Sequence, residues 1–266
     1  MEAEWVETRV IPIGKGVEIG GPRVILMVGP CAVESYDQTR KVASAVHQAG
    51  GQVLRGGAYK PRTSPDTFPG LGLEGLKILR EAADEFGLLI VTEAPSVELL
   101  PVVLDYTDIV QIGSRNMQHF PLLWAAGEAN KPVLLKRGFM STIDEWVSAG
   151  EHILKRGNDQ IIFCERGIRG FDPSTRNVLD VSAIPLVKEL CGYPVVGDPS
   201  HATGRTNLIL PASRAAIAAG ADGLLVETHP DPANALSDGD QALPLDQVDR
   251  LFTEARRIAA AINRTV

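Results

Sequence analysis

Short apolar runs alternate with amphipathic segments along most of the chain. Eight of these runs have the character of β-strands and end in charged or metal-capable side chains. They cover residues 24–29, 52–54, 88–92, 108–114, 132–135, 160–164, 194–197 and 223–226. Such alternation is typical of βαβ units that build a parallel sheet. Eight units predict an α/β fold with a single (β/α)8 TIM barrel, whose functional groups gather at the carboxyl ends of the strands.

The segments between the strands carry apolar residues at helical spacing. The predicted helices cover residues 35–49, 73–86, 96–104, 121–128, 141–155, 183–191, 208–219 and 246–263. Before the first barrel strand, two β-like runs split by Gly14-Lys15-Gly16 predict a short hairpin that caps the barrel bottom. We therefore expect an N-terminal hairpin extension over residues 1–23 and a catalytic barrel over 24–266.

Composition narrows the class of protein. The length of 266 residues suits one barrel of this type, for which about 250 is typical. No apolar run approaches the ~18 residues that span a membrane, and the acidic N-terminus does not resemble a signal peptide. Three cysteines form no CxxC pair, which predicts a reducing, cytoplasmic location. The net charge of −7 argues against nucleic acid as a partner.

Six basic side chains lie at or just after the strand ends of this acidic chain. They are Arg55, Lys60, Arg62, Arg115, Lys136 and Arg166. Arg presents a planar fork to phosphate or carboxylate, and Lys presents a movable point charge. Because converging cations repel one another, the pattern predicts a ligand with several anionic groups, such as a sugar phosphate or a phosphorylated acid. The alternative is that each cation pairs with a rim carboxylate such as Glu93 or Glu165.

A second group at the strand ends combines one thiol, one imidazole and two carboxylates. Its members are Cys31, His201, Glu227 and Asp238. This mixed set suits one divalent ion such as Mn2+, Fe2+, Co2+ or Zn2+ better than Mg2+, and it leaves a position for water or substrate. Each residue alone is more often structural, since a lone Cys after a strand is usually a small buried residue. The spacing allows a metal site without requiring one.

Seven strand ends carry segments that resemble the 3-deoxy-D-arabino-heptulosonate 7-phosphate (DAHP) synthases of the type I β subgroup. The segments are GPCAVES at 29–35, LRGGAYKPRTS at 54–64, IGSRN at 112–116, KRG at 136–138, CERG at 164–167, GDPSH at 197–201 and VETH at 226–229. The resemblance implies condensation of phosphoenolpyruvate with erythrose 4-phosphate and water. The products would be DAHP and phosphate, at the entry to the shikimate pathway of aromatic amino acid biosynthesis.

The same resemblance implies roles for individual residues. The thiol, imidazole and two carboxylates named above would bind the metal. Phosphoenolpyruvate would be held by Arg55, Lys60, Arg115, Lys136 and Arg166, and erythrose 4-phosphate by Pro61, Arg62, Thr63 and Ser64. Lys60 is the candidate acid because it lies between the two anion-binding segments. Water could be placed by Asp198, Glu93 or Glu165, and the sequence does not choose among them.

Two alternatives share these residues. A 3-deoxy-D-manno-octulosonate 8-phosphate (KDO8P) synthase has the same barrel but takes arabinose 5-phosphate, and its loop is of the Lys-Ala-Asn-Arg-Ser type. Here Pro61 directly precedes Arg62, which favours the four-carbon aldose. The other alternative is a non-catalytic barrel that binds phosphoenolpyruvate.

Relatives often carry a regulatory or chorismate mutase domain, for which the barrel and hairpin leave no residues here. We therefore expect a feedback-insensitive enzyme. By resemblance it would be a homo-oligomer, specifically a tetramer, with small-molecule substrates and no membrane partner.

Overall fold

Eight parallel strands close into a barrel in the computed structural model, which describes residues 6–60 and 66–266. A hairpin of β1 (Ile11–Gly14) and β2 (Val17–Ile19) precedes the barrel. The barrel strands are β3 (Ile25–Gly29), β4 (Val53–Arg55), β5 (Leu89–Glu93), β6 (Ile109–Ile112), β7 (Val133–Lys136), β8 (Ile161–Glu165), β9 (Val195–Gly197) and β10 (Gly223–His229). Each strand pairs with the next in sequence, and β10 pairs with β3, so no barrel edge is left open. The predicted fold is confirmed.

Helices follow the strands and cover the outside of the barrel. They are α1 (Tyr36–Gln48), α2 (Leu73–Glu85), α3 (Leu100–Tyr106), α4 (Phe120–Glu128), α5 (Ile143–Leu154), α6 (Ala183–Cys191), α7 (Pro199–Thr203), α8 (Thr206–Ala218) and α9 (Val248–Ala261). The five-residue α7 and a two-residue strand, β11 (Leu243–Pro244), were not predicted because they are too short to show a period. Among the described residues, no helix is long and apolar enough to cross a membrane.

Local signals explain most helix boundaries. Ser35 caps α1 as predicted, since its hydroxyl oxygen accepts from the Gln38 amide at 3.1 Å. Thr142 and Glu145 form a capping box at the start of α5. The predicted helix at 96–104 begins only at Leu100, because Pro101 favours the first helical turn.

The hairpin lies against the amino-terminal ends of the strands. Lys15 Nζ donates to the Leu88 carbonyl oxygen, just before β5, at 3.1 Å, and the Arg9 amide donates to the Gly192 carbonyl oxygen before β9 at 2.9 Å. The inward-facing hairpin side chains, Ile11, Ile13, Val17 and Ile19, belong to the continuous apolar core. Burial of these side chains closes the barrel bottom, so the opposite rim is left for chemistry.

Candidate active site

Four side chains of the predicted metal group come from the carboxyl ends of three barrel strands and the loop after β10. The ligand atoms of Cys31, Glu227 and Asp238 lie within 4.8 Å of one another. Cys31 Sγ is 3.2 Å from Asp238 Oδ2. His201 joins this group through Glu227, whose Oε1 lies 3.3 Å from His201 Nε2.

The electrostatics of this group fit a bound cation. Burial, followed by the negative charge of Glu227, raises the pKa of the Cys31 thiol to about 12. Burial also opposes ionisation of Glu227, but His201 and Arg55 outweigh it and lower the pKa of this carboxyl. A thiol and two carboxylates this close repel one another when ionised, and a divalent cation removes that cost and lowers the pKa of the thiol. The donor set therefore fits a divalent ion.

Asp198 orients the imidazole of this group. It precedes α7, and its Oδ1 accepts from the His201 amide at 2.9 Å while Oδ2 lies 2.7 Å from His201 Nδ1. Lys136 Nζ is 2.6 Å from the same Oδ2. Burial opposes ionisation, yet His201 and Lys136 hold the pKa of Asp198 well below its usual range. With Nδ1 engaged by the carboxylate, Nε2 faces Glu227.

Two basic side chains predicted to bind phosphoenolpyruvate lie beside the metal group. Arg55 Nη1 donates to Glu227 Oε1 at 2.7 Å and to the Pro30 carbonyl oxygen at 2.8 Å. Lys60 Nζ donates to the carbonyl oxygen and to Sγ of Cys31, both at 3.0 Å. Burial lowers the pKa of Lys60, but Cys31 and Glu227 outweigh burial and leave it raised. Lys60 therefore holds its proton next to the candidate metal ligands.

A third feature of the rim is a phenyl ring surrounded by three guanidinium groups. The centroid of the Phe139 ring lies 4.7 Å from the Arg166 Cζ atom and 5.3 Å from those of Arg115 and Arg169. Arg166 is only 2% exposed, its Nε has no partner among the described residues, and burial lowers its pKa. Arg166 Nη1 donates to the Gly167 carbonyl oxygen at 3.2 Å. Among the described residues, no acid forms an ion pair with Arg166.

The carboxylates proposed to place water differ in their burial and in how many of their oxygens accept hydrogen bonds from the protein. Glu165 is buried, with Oε2 accepting from Arg137 Nη1 at 2.8 Å and Oε1 from the Gly167 amide at 2.6 Å. Glu93 is half-buried, and its Oε2 accepts from Gln111 Nε2 at 3.0 Å. The predicted erythrose 4-phosphate residues, Pro61, Arg62, Thr63 and Ser64, lie outside the described residues.

Comparison with known proteins identifies the family of the chain. Residues 8–262 match the family described as the DAHP synthetase I family. The chain belongs to this family.

Relatives of the chain carry two related activities in their names. It is 51% identical over 256 residues to a phospho-2-dehydro-3-deoxyheptonate aldolase of Thermotoga maritima, covering 96% of this chain and 75% of the relative. A 2-dehydro-3-deoxyphosphooctonate aldolase of Syntrophotalea carbinolica is 34% identical, covering 91% of this chain and 93% of that relative. The lower identity does not favour the KDO8P synthase alternative.

Solved structures of the Thermotoga maritima DAHP synthase share the fold. One superposes with a TM-score of 0.95 at 50% identity and covers 98% of this chain and 76% of that one. A truncated form of the same synthase superposes with a TM-score of 0.91 at 47% identity, covering 98% of this chain and 95% of that one.

In this DAHP synthetase I chain, several site contacts were missed from the sequence. Gln241 donates from Nε2 to Glu227 Oε2 at 2.5 Å and accepts from Arg176 Nη1 at 2.7 Å. Ser237 Oγ lies 3.1 Å from Cys31 Sγ. Asp238, which was predicted as a ligand, adopts φ +51°, a left-handed conformation that Asp adopts more often than most non-glycine residues. These residues lie in the long loop after β10, where no periodic pattern marks them.

Proposed function

We propose that this protein is a DAHP synthase that condenses phosphoenolpyruvate with D-erythrose 4-phosphate and water to give DAHP and phosphate. The observation that carries the proposal is the pairing of two groups on one barrel rim. The thiol and carboxylates of Cys31, Glu227 and Asp238 suit a divalent cation, and the buried cations Arg55, Lys136 and Arg166 suit a small polyanion. Membership of the DAHP synthetase I family supports the same reaction.

The basic residues would hold phosphoenolpyruvate between the metal group and the phenyl ring of Phe139. Arg166 and Arg115 face this ring together and would bind the phosphate group. Arg55 pairs with Glu227 and Lys136 pairs with Asp198, both beside the metal group. These two cations would therefore bind the carboxylate of phosphoenolpyruvate. Bound phosphate would provide the anionic partner that Arg166 lacks within the described residues.

The reaction joins C3 of phosphoenolpyruvate to the aldehyde carbon of the aldose. Lys60 would protonate the aldehyde oxygen as charge develops there, since its pKa is raised and the group is charged near neutrality. Water adds at C2, the bond from C2 to the phosphate oxygen breaks, and phosphate leaves to the guanidinium groups. One water is consumed for each phosphate released.

Glu93 is the carboxylate we assign to the placement of this water. Both oxygens of Glu165 are engaged by Arg137 and the Gly167 amide, and both oxygens of Asp198 serve His201. Glu93 is the half-buried member of the three.

A divalent ion would be held by Cys31, His201, Glu227 and Asp238. The chemistry that such an ion supplies when bound is Lewis acidity toward a substrate oxygen. The thiol ligand favours Mn2+, Fe2+, Co2+ or Zn2+ over Mg2+. The homotetramer stays a prediction of the resemblance, and light scattering on the purified protein would measure it. The cytoplasmic location stays a prediction of the cysteine pattern.

Phosphate release from phosphoenolpyruvate tests the proposal. With a divalent ion supplied, release should require erythrose 4-phosphate and be much slower with arabinose 5-phosphate. Lys60→Met should abolish turnover, whereas Lys41→Met, at an exposed helix pair with Asp37, should leave it unchanged. Equal or faster turnover of the five-carbon aldose would instead support the KDO8P synthase alternative.

A further inference from the structure

The carboxylate of Glu34 connects two parts of the chain that are far apart in sequence. Glu34 Oε2 lies 3.2 Å from His229 Nε2, and Oε1 accepts from the Leu236 amide at 2.8 Å. The side chains of Glu34 and His229 are only 13% and 8% exposed, so water competes little for these bonds. One carboxylate oxygen thus holds the end of β10, and the other holds the segment that follows it.

The hydrogen bonds around His229 define which nitrogen carries the proton. The Asp231 amide donates to His229 Nδ1 at 3.0 Å, so Nδ1 accepts. In the neutral ring the proton is therefore on Nε2, which donates to Glu34. A carboxylate that accepts from both an imidazole and a backbone amide forms stronger bonds than a neutral acceptor would.

The atoms held by Glu34 lie next to three candidate metal ligands. Glu34 follows Cys31 by three residues, His229 follows Glu227 by two, and Leu236 precedes Asp238 by two. At the end of this segment Asp238 adopts φ +51°, and its Oδ2 approaches Cys31 Sγ to 3.2 Å. Asp adopts the left-handed region more readily than most non-glycine residues, and the Glu34 bond to the Leu236 amide holds the chain two residues before it.

We propose that Glu34 and His229 form a positioning pair that holds the Asp238 loop against the Cys31 segment and thereby sets the metal affinity of the site. This inference rests on the proposed function, because it takes Cys31, Glu227 and Asp238 as the ligands. Neither Glu34 nor His229 is itself a ligand. Their carboxylate and imidazole fix the distance between ligands that come from opposite ends of the chain.

Binding of Co2+ alone to the purified protein, measured by calorimetry without substrate, tests the pair. Glu34→Ala should raise the Kd for Co2+ roughly ten- to hundredfold, the usual effect of losing an outer-shell partner. The absorption that arises from thiolate-to-Co2+ charge transfer should also weaken at saturation, because Cys31 and Asp238 no longer meet at one ion. Glu34→Gln keeps an acceptor for the Leu236 amide, so its Kd should lie between those of wild type and Glu34→Ala.

Two further variants separate positioning from general stability. Because the pair acts as a unit, adding His229→Gln to Glu34→Ala should cost little beyond Glu34→Ala alone. Glu85→Gln breaks the surface contacts with Arg40 and Tyr36 and should leave the Kd unchanged. Circular dichroism of the metal-free proteins should show the same fold in every variant. Should Glu34→Ala fail to fold, Glu34→Gln and His229→Gln provide the same comparison.

The proposal is overturned if folded Glu34 variants bind Co2+ with wild-type affinity, or if the two substitutions add independently. Wild-type production of DAHP alongside that result would leave the proposed function standing and remove only the positioning pair. Conversely, weakened Co2+ binding in the variants without any DAHP synthesis by the wild type would support the pair and contradict the proposed reaction.

Discussion

Two buried arginines directly follow neighbouring strands, Arg137 after β7 and Arg166 after β8. Substitution by Met should change the stability of the protein in opposite directions at these two positions. Arg137 and Arg166 are 4% and 2% exposed. Arg137 pairs with Glu165 at 2.8 Å and with Asp180 at 3.0 Å. Burial lowers the pKa of Arg137, but the bond to Glu165 outweighs burial, so the pKa of Arg137 is raised. Burial lowers the pKa of Arg166. The charged form of Arg166 is thus disfavoured in the folded protein.

The magnitudes follow from these environments. Burying an unpaired ion costs several kcal/mol in real proteins, and the contact with Phe139 returns only about 0.5–2 kcal/mol. Arg166→Met keeps the apolar stem and removes the charge, so we expect the metal-free protein to become more stable by about 1–3 kcal/mol. Arg137→Met leaves Glu165 buried without its partner and should destabilise the protein by about 3–5 kcal/mol.

Urea unfolding of the metal-free variants measures both changes in stability. Substrate kinetics measure the loss of phosphoenolpyruvate binding in Arg166→Met. Loss of one charge-assisted hydrogen bond of ~1.5–3 kcal/mol should lower kcat/KM for phosphoenolpyruvate roughly ten- to hundredfold in Arg166→Met. At one fixed concentration, phosphoenolpyruvate should also raise the urea midpoint of the wild type more than that of this variant. If Arg166→Met destabilises the protein as much as Arg137→Met does, the argument that Arg166 lacks an internal partner is wrong.

Three further predictions address the rest of the rim. Treatment with a strong chelator should abolish activity that added Mn2+ restores, and Cys31→Ser should weaken metal binding; full activity of the metal-free protein would contradict both. Phe139→Leu should raise the KM for phosphoenolpyruvate, because three guanidinium groups lose their common ring. Phe139→Tyr keeps an aromatic ring and should show the wild-type KM. Equal KM values in the two variants would contradict a role of the ring in substrate binding. A Cβ atom at Gly57 would lie 2.7 Å from the Cys31 carbonyl oxygen and 2.8 Å from Lys60 Cδ. Gly57→Ala should therefore cost about 1–3 kcal/mol in unfolding free energy and lower kcat, whereas Gly21→Ala, with its nearest contact at 3.6 Å, should change neither.

The fold could be predicted from the sequence because each barrel strand is an apolar run with a polar or metal-capable side chain at its end or within two residues after it. Parallel strands that are buried on both faces are continuous apolar runs without the alternation of half-exposed strands. The ends of each run therefore indicate the length and order of the strands. The same rule placed Cys31, Arg55 and Glu227 on one rim, because the carboxyl ends of all eight strands meet there. The approximate site is therefore a consequence of topology.

Partner choice within the rim could not be predicted in the same way. Arg137 and Arg166 both follow apolar strands, and nothing in their spacing indicates that only Arg137 meets Glu165 and Asp180. Those contacts depend on the path of residues 167–180, which is set by tertiary hydrogen bonds. The Glu34 contacts with His229 and with the Leu236 amide were missed for the same reason, since they join residues 195 and 202 positions apart.

Acidic side chains are distributed unevenly among the cations of the rim. Glu227 accepts from Arg55 and Gln241, and Asp198 engages Lys136 and His201, so both acids stabilise the metal side of the rim. No described acid forms an ion pair with Arg166 on the side of the Phe139 ring. Cations with internal partners keep their geometry before substrate arrives, whereas a cation without one gains its partner from the ligand. In the proposed function, the cations paired with Glu227 and Asp198 would hold the metal side of the rim in place, and Arg166 would draw its binding energy from the phosphate group.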